Sequence, residues 1–136
     1  MRKNAKVDLI ARVPLFAECS KTELARIAEV ADEITQAAGS ELIRQGARGG
    51  EFCVLVDGTV QVCSNGKHLR TLSSGDFFGE IALILDVRRS ATVTATTTVR
   101  LLVIERIAFG RLLHVLPSLQ TKVLEALAQR LANESL

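Results

Sequence analysis

The spacing of apolar residues changes twice along this chain of 136 residues, and this change limits the folds that it can adopt. Over about residues 32–106 the apolar residues form short runs, such as E-F-C-V-L-V and T-V-Q-V-C, which are broken by turn residues. The dipeptides Asp57-Gly58 and Asn65-Gly66 predict two-residue hairpin turns, because both tolerate positive φ values. Several short strands at close spacing predict a small antiparallel barrel or jelly roll.

The N-terminal end carries helical patterns instead. Residues 7–13 predict a short apolar helix that stops at Pro14. Ser20 and Glu23 form a capping-box pattern, which is typical of the first turn of a helix, and apolar residues follow at helical spacing. We therefore predict two helices before the first strand.

The C-terminal end returns to helical spacing after the strands. Phe109, Leu112 and Leu113 predict a short helix that ends before Pro117, and a longer helix follows from about Ser118. A chain of this length forms one domain. We predict an α+β fold over residues 1–136. It consists of a small antiparallel β-roll (31–106), which is a jelly-roll-like double-stranded barrel, with N-terminal helices (1–30) and two C-terminal helices (107–136).

The composition excludes several classes of protein. Hydrophobic residues make up 48% of the chain and charged residues 24%, a balance typical of globular rather than disordered proteins. The formal charge of +2 comes without a dense Lys/Arg run, so we expect no direct binding to nucleic acid. Three scattered cysteines and the lack of an apolar run of membrane-spanning length predict a cytoplasmic protein with reduced thiols.

The residues that usually carry metal or enzyme chemistry are sparse. His68 and His114 have no cysteine or carboxylate companions at ligand spacing, so we expect no metal. The chain has neither a Walker loop nor a G-x-S-x-G elbow. Cys63 lies five residues before His68, but the sequence indicates no third group to orient such a pair. We therefore expect no catalytic activity.

A glycine, a glutamate and two arginines interrupt an apolar stretch at residues 78–93, F-G-E-I-A-L-I-L-D-V-R-R-S-A-T-V. Its first apolar residues do not alternate, which predicts one helical turn inside the roll. The first amides of such a turn attract an anion, and Gly79 lets a ligand approach the main chain closely. Arg89 supplies a forked guanidinium for phosphate oxygens, and Ser90 supplies a hydroxyl donor. Glu80 repels phosphate but can accept from a sugar hydroxyl, so the stretch predicts a site for a nucleotide sugar-phosphate.

F-G-E-I-A-L followed by R-S-A-T-V resembles the phosphate-binding cassette of the cyclic nucleotide-binding domain family. This family includes catabolite-activator-type regulators, protein kinase A regulatory subunits and cyclic-nucleotide-gated channels. The helix–roll–helix order and the glycines in I-R-Q-G, V-D-G-T-V and S-G-D-F-F-G-E extend the resemblance over nearly the whole chain. It implies cyclic AMP or cyclic GMP as the ligand, with Glu80 on the ribose 2′-hydroxyl and Arg89 on the cyclic phosphate. It also implies that the phosphate cradle is completed by Ser90 and by the amides of Gly79, Glu80, Ile81 and Ala82.

Two features of the stretch leave alternatives open. Many members of the family have proline where this chain has Arg88. We choose Arg89 as the phosphate ligand because it directly precedes S-A-T-V. Without a ligand, Glu80 would be a first-turn carboxylate that favours the start of a helix, and Arg89 would form a salt bridge to Glu80 or Asp86.

Arg130 falls within the apolar stripe of the last helix, among Leu119, Val123 and Leu127. One interpretation is a cation near the helix C-terminus whose stem covers apolar surface. The other is a lid that reaches over the pocket and caps the base, as in some bacterial channel-type members of the family. We predict the lid, and Arg130 therefore joins the ligand-binding residues.

Three hypotheses follow for the function. The first is a non-catalytic regulatory module that binds a cyclic nucleotide and relays the binding signal by repositioning the C-terminal helix. The second is the ligand-sensing part of a catabolite-activator-type transcription regulator, whose helix-turn-helix this chain lacks. The third, an interaction domain that has lost its ligand, is disfavoured by the intact pair of Glu80 and Arg89. The expected partners are the cyclic nucleotide and either an effector protein or a second copy bound through the C-terminal helix, with no membrane contact by this chain alone.

Overall fold

The computed structural model describes residues 1–134. At positions 130, 131, 133 and 134 it describes the main chain only. The helices are α1 (Lys3–Ala11), α2 (Lys21–Glu29), α3 (Arg106–Val115) and α4 (Pro117–Glu134). Two short 3-10 turns lie at Pro14–Phe16 and at Glu80–Leu83, and we call the second the cassette turn. The strands are β1 (Ala31–Gln36), β2 (Glu41–Ile43), β3 (Glu51–Asp57), β4 (Val60–Ser64), β5 (Lys67–Leu72), β6 (Phe77–Phe78), β7 (Thr92–Ala95) and β8 (Val99–Glu105). The predicted order of helices, β-roll and helices is confirmed.

The eight strands form two antiparallel sheets that pack face to face. The first sheet has the order β1-β8-β3-β6 and the second has the order β2-β7-β4-β5. One hydrophobic core lies inside the roll, where Leu55 and Leu101 of the first sheet join Val62 and Val93 of the second. Because side chains alternate along a strand, β3 and β8 also present a second apolar face on the outside of the roll.

The helices cover this outer face of the first sheet. Phe52 of β3 lies in a second core with Phe16 and Phe109, which come from the first 3-10 turn and from α3. The ring centroid of Phe16 lies 6.2 Å from the ring centroid of Phe52 and 5.6 Å from that of Phe109. The N-terminal and C-terminal helices therefore pack against the same sheet and against each other.

One predicted hairpin is confirmed and the other is wrong. At Asn65-Gly66 both residues have positive φ, at 54° and 76°, and the flanking strands β4 and β5 pair directly. At Asp57-Gly58, however, β3 pairs with β6 and β8 while β4 pairs with β5 and β7, so this turn carries the chain from one sheet to the other. Gly58 has φ +95°, and a Cβ there would lie 2.5 Å from the carbonyl oxygen of Thr98. The glycine therefore serves a close crossing rather than a hairpin.

The first helix differs slightly from the prediction of residues 7–13. It begins earlier, at Lys3, and ends at Ala11. Val13 is extended because the proline ring of Pro14 disfavours helical geometry in the preceding residue, and Pro14 then begins the first 3-10 turn.

A buried carboxylate joins the N-terminal helices to α4. The predicted capping box is present, since the main-chain N–H of Glu23 donates to Ser20 and the N–H of Ser20 donates to Glu23 Oε1 at 2.8 Å. The same carboxylate accepts from Lys122 Nζ and, at 2.7 Å, from Ser118 Oγ, although it is only 5% exposed. Burial raises the pKa of Glu23, but the hydrogen bonds from Lys122, Ser20 and Ser118 outweigh this effect and lower the pKa to about 2. Glu23 therefore remains charged and fastens α2 to α4.

This cluster predicts a pH-dependent loss of stability. Because the folded-state pKa of Glu23 is depressed from 4.5, its contribution is fully present above pH 4.5 and is lost as the pH falls towards 2. We expect Glu23→Gln to lower the free energy of unfolding by about 1–3 kcal/mol at pH 7, with a gap that narrows below pH 4.5. Urea unfolding at several pH values measures this. The control is Glu29→Gln, an exposed carboxylate on the same helix, and an equal effect of both variants would contradict the prediction.

Among residues 1–134, no helix combines the length and the apolar character that crossing a membrane requires. In the same part of the chain, no three His, Cys, Asp or Glu side chains are grouped so as to hold a metal ion.

Candidate functional site

The cassette turn begins at a glycine whose backbone geometry is restricted. Gly79 has φ +81° and ψ 16°, the left-handed conformation that glycine adopts without strain. A Cβ at this position would lie 2.8 Å from the carbonyl oxygen of Glu51 and 2.9 Å from Nη1 of Arg89. The predicted helical turn at Glu80–Leu83 is present, and the N–H of Ala82 already donates to the carbonyl of Gly79. The start of the turn and the guanidinium of Arg89 therefore meet at a point where only a glycine fits.

Arg89 is held by both its main chain and its side chain. Its N–H donates to the carbonyl of Ala47 at 2.9 Å, and its carbonyl accepts from the N–H of Gly46 at 2.8 Å. Its side chain is 9% exposed, and Nη2 donates to the Glu51 carbonyl at 2.7 Å and to the Glu51 carboxylate at 3.3 Å. The carboxylate that contacts Arg89 thus belongs to Glu51. Asp86, one of the partners considered above, instead lies 3.6 Å from Arg48.

Arg88 has a different environment from its neighbour. Its side chain is exposed, and its Nη1 donates to the carbonyl of Gly46 at 2.9 Å. Arg88 also forms an isolated bridge with Arg48 through the main chain. Of the two arginines, only Arg89 has its guanidinium beside Gly79.

A pocket of about 400 Å³ lies over the cassette turn. Its floor is apolar and includes Ile43, Val62 and Val93. Phe78 is buried and Phe77 is half-buried at its side. The pocket also contains all the predicted ligand-binding residues of the cassette, namely Gly79, Glu80, Ile81, Ala82, Arg89 and Ser90.

A wider groove of about 830 Å³ adjoins this pocket. The two cavities share Arg70, Phe77 and Glu80, and the far wall of the groove is formed by residues 122–129 of α4. The groove therefore connects the pocket over the cassette turn with α4. The side chain of Arg130, our predicted lid, lies outside the described residues, and its role stays a prediction.

Two residues of the site were missed by the sequence reasoning. Glu51 contacts Arg89 from 38 positions away, and no local pattern links them. Arg70 lies on β5 at the boundary between the two cavities. A usable signal existed for Arg70: it is two residues before the apolar Leu72, so both side chains face the same side of a strand.

Comparisons with known proteins indicate the family to which this chain belongs. A family model for the cyclic nucleotide-binding domain matches residues 33–115. The chain is 40% identical over 107 residues to a cAMP-dependent protein kinase regulatory subunit of Schizosaccharomyces pombe. This match covers 78% of this chain and 26% of that protein. It is 38% identical over 124 residues to the cGMP-dependent protein kinase, isozyme 1, of Drosophila melanogaster. This match covers 85% of this chain and 16% of that protein.

A solved structure also resembles the whole fold. The N-terminal domain of a transcriptional regulator from Streptomyces coelicolor A3(2) has a TM-score of 0.87 at 30% identity, and the match covers 93% of this chain and 94% of that one. The region matched by the family model runs from β1 to the last residue of α3 and includes the complete cassette turn. This chain therefore belongs to the cyclic nucleotide-binding domain family.

Proposed function

We propose that this domain binds a cyclic nucleotide in the pocket over the cassette turn and acts as a regulatory module without a reaction of its own. The observation that carries the proposal is the placement of Arg89, a guanidinium only 9% exposed, directly beside the glycine that opens the turn. A guanidinium with so little exposure at the start of a helical turn suits an anion rather than a neutral ligand. Because Gly79 has no Cβ, Nη1 of Arg89 can lie close to the main chain at the start of the turn, where a Cβ would be only 2.9 Å from it.

The predicted residues of the cassette then contact different parts of the ligand. Arg89 holds the cyclic phosphate, with Ser90 and the amides of residues 79–82 around it, and the N–H of Ala82 exchanges its bond to the Gly79 carbonyl for one to the phosphate. Glu80 lines both cavities, between the phosphate site and the groove, and accepts a hydrogen bond from the ribose 2′-hydroxyl. The base extends into the groove towards α4.

Ligand binding can be relayed to α4 because α4 forms one wall of the groove. A ligand that contacts both the cassette and α4 binds better when α4 lies over the groove, and it shifts the population by that difference in affinity. The movement is limited by the cluster at Glu23, which fastens residues 118 and 122 of α4 to α2. We therefore expect the ligand to affect mainly the part of α4 that follows Lys122.

A second output is supported by one observation. The resemblance to the N-terminal domain of a transcriptional regulator favours a ligand-sensing part of a catabolite-activator-type regulator. Both outputs use the same pocket. A DNA-binding assay of the natural protein, with and without cyclic nucleotide, separates a DNA-binding regulator from a module that acts on an effector protein.

Calorimetric titration with cyclic AMP, cyclic GMP and linear AMP tests the proposal. Both cyclic nucleotides should bind, and linear AMP should bind more weakly because its phosphate has a different charge and shape. We expect cyclic AMP to bind at least as tightly as cyclic GMP. The reason is that Ser90 has no methyl group to fix a hydroxyl towards the guanine amine, as a threonine would. A protein that binds neither cyclic nucleotide would overturn the proposed function.

Glu80 should determine recognition of the ribose. A site that hydrogen-bonds a hydroxyl loses affinity when the hydroxyl is missing, by about 1–3 kcal/mol when the acceptor is left buried. The 2′-deoxy analogue of cyclic AMP should therefore bind about tenfold more weakly to the parent protein. In Glu80→Ala this difference should shrink, as measured by the same titration. An unchanged difference would mean that Glu80 has a structural role only.

A further inference from the structure

Arg89 has a carboxylate partner close to Gly49, where a Cβ would lie 3.1 Å from Glu51 Oε2 and 3.1 Å from Nε of Arg89. Its Nη1 lies by Gly79, whereas both hydrogen bonds to Glu51 come from Nη2. The two partners differ in exposure, since the Arg89 side chain is 9% exposed and the Glu51 side chain is 53% exposed. Glu51 also lines a separate cavity of about 300 Å³ behind Arg89, which we call the rear pocket.

The two hydrogen bonds to Glu51 differ in what they contribute. The bond to the main-chain carbonyl, at 2.7 Å, fixes where the guanidinium lies and does not depend on the Glu51 side chain. The bond to the carboxylate is longer, at 3.3 Å, and contributes mainly the attraction between two opposite charges. A buried guanidinium is unfavourable without an opposite charge, so the carboxylate stabilises Arg89 while no anion is bound.

We propose that the Glu51 carboxylate is a built-in counter-ion that the phosphate of the ligand displaces, and that Glu51 thereby lowers the affinity of the site. This inference rests on the proposed function. A cyclic phosphate at Gly79 brings a second negative charge to the guanidinium, and the two anions repel each other across it. The exposed carboxylate is the one that can leave, because water solvates it and Arg48 lines the same rear pocket.

The opposite role would be positioning. If the Glu51 carboxylate held Arg89 in its binding geometry, its removal would weaken the binding of cyclic nucleotides. The main-chain bonds of Arg89 to Gly46 and Ala47, with the Glu51 carbonyl bond to its side chain, argue against this role because they fix the arginine without the carboxylate. The two roles therefore predict effects of opposite sign.

The test compares Glu51→Gln with the parent by calorimetric titration with cyclic AMP. Glutamine keeps the shape and the main-chain carbonyl and removes only the charge. We expect Glu51→Gln to bind cyclic AMP about two- to fivefold more tightly, the range that corresponds to a partly exposed ion pair. Without ligand the variant should melt at a lower temperature than the parent, and at saturating cyclic AMP the two should melt together.

The matched control is Glu41→Gln. Glu41 also lines the rear pocket, but its carboxylate pairs with Arg44 at 2.6 Å instead of with Arg89. Its removal should leave the affinity unchanged, so an equal increase in both variants would indicate a general charge effect and overturn the proposal. Unchanged or weaker binding in Glu51→Gln would overturn the counter-ion while the proposed function stands. Failure of the parent to bind would overturn both.

Discussion

Arg89→Ala is expected to weaken the binding of cyclic AMP by about 30-fold or more. Removing one member of a buried charge pair costs about 2–5 kcal/mol, because the other charge stays desolvated without a partner. Here the guanidinium is 9% exposed and lies beside Gly79, where a Cβ would be 2.9 Å from Nη1. Calorimetric titration measures the loss, and thermal unfolding of the ligand-free protein checks that the variant folds.

Arg88→Ala is the matched control for this result. The two arginines are adjacent, carry the same charge and both line the pocket, but the Arg88 side chain is exposed and donates to the carbonyl of Gly46. We expect its removal to change the affinity by less than about threefold, as for an exposed charge. If Arg88→Ala loses most of the affinity and Arg89→Ala keeps it, the assignment of the phosphate ligand is wrong.

Local patterns account for the parts of the fold that the sequence predicts correctly. The capping box at Ser20 and Glu23 and the hairpin at Asn65-Gly66 depend on residues within three positions of one another. The cassette turn is also local, because a glycine followed by non-alternating apolar residues disfavours a strand. Such features are encoded in short segments and are recognisable without knowledge of the tertiary structure.

The remaining features depend on contacts between distant segments. Asp57-Gly58 has the residues of a hairpin turn, but the sheet to which each flanking strand belongs is decided by β8 and β7, more than 30 residues away. Glu23 shows its role as a cap in the sequence, yet its contact with Lys122 spans 99 positions. The pairing of Arg89 with Glu51 is of the same kind. The sequence therefore identifies the residues that line the pocket better than it identifies the residues that support them from other segments.

Gly79→Ala should damage both the fold and the site. A left-handed φ costs a residue with a Cβ about 1–2 kcal/mol, and Gly79 has φ +81°. In addition, the new Cβ would lie 2.8 Å from the Glu51 carbonyl oxygen and 2.9 Å from Nη1 of Arg89, so the guanidinium has to move. Because a hydrogen bond to a charged group is worth about 1.5–3 kcal/mol, displacing Arg89 should lower the affinity for cyclic AMP by about tenfold or more.

Gly39→Ala separates backbone strain from the contact at the site. Gly39 has nearly the same φ, +87°, but a Cβ there would meet nothing within 4 Å, and Gly39 is not among the residues that line the pocket. We expect Gly39→Ala to lower the free energy of unfolding by about 1–2 kcal/mol and to leave the affinity for cyclic AMP unchanged. Gly79→Ala should lower the free energy of unfolding further and lose affinity as well. Urea unfolding and calorimetric titration of the two variants measure both quantities, and equal behaviour would mean that the contact between Gly79 and Arg89 does not shape the phosphate site.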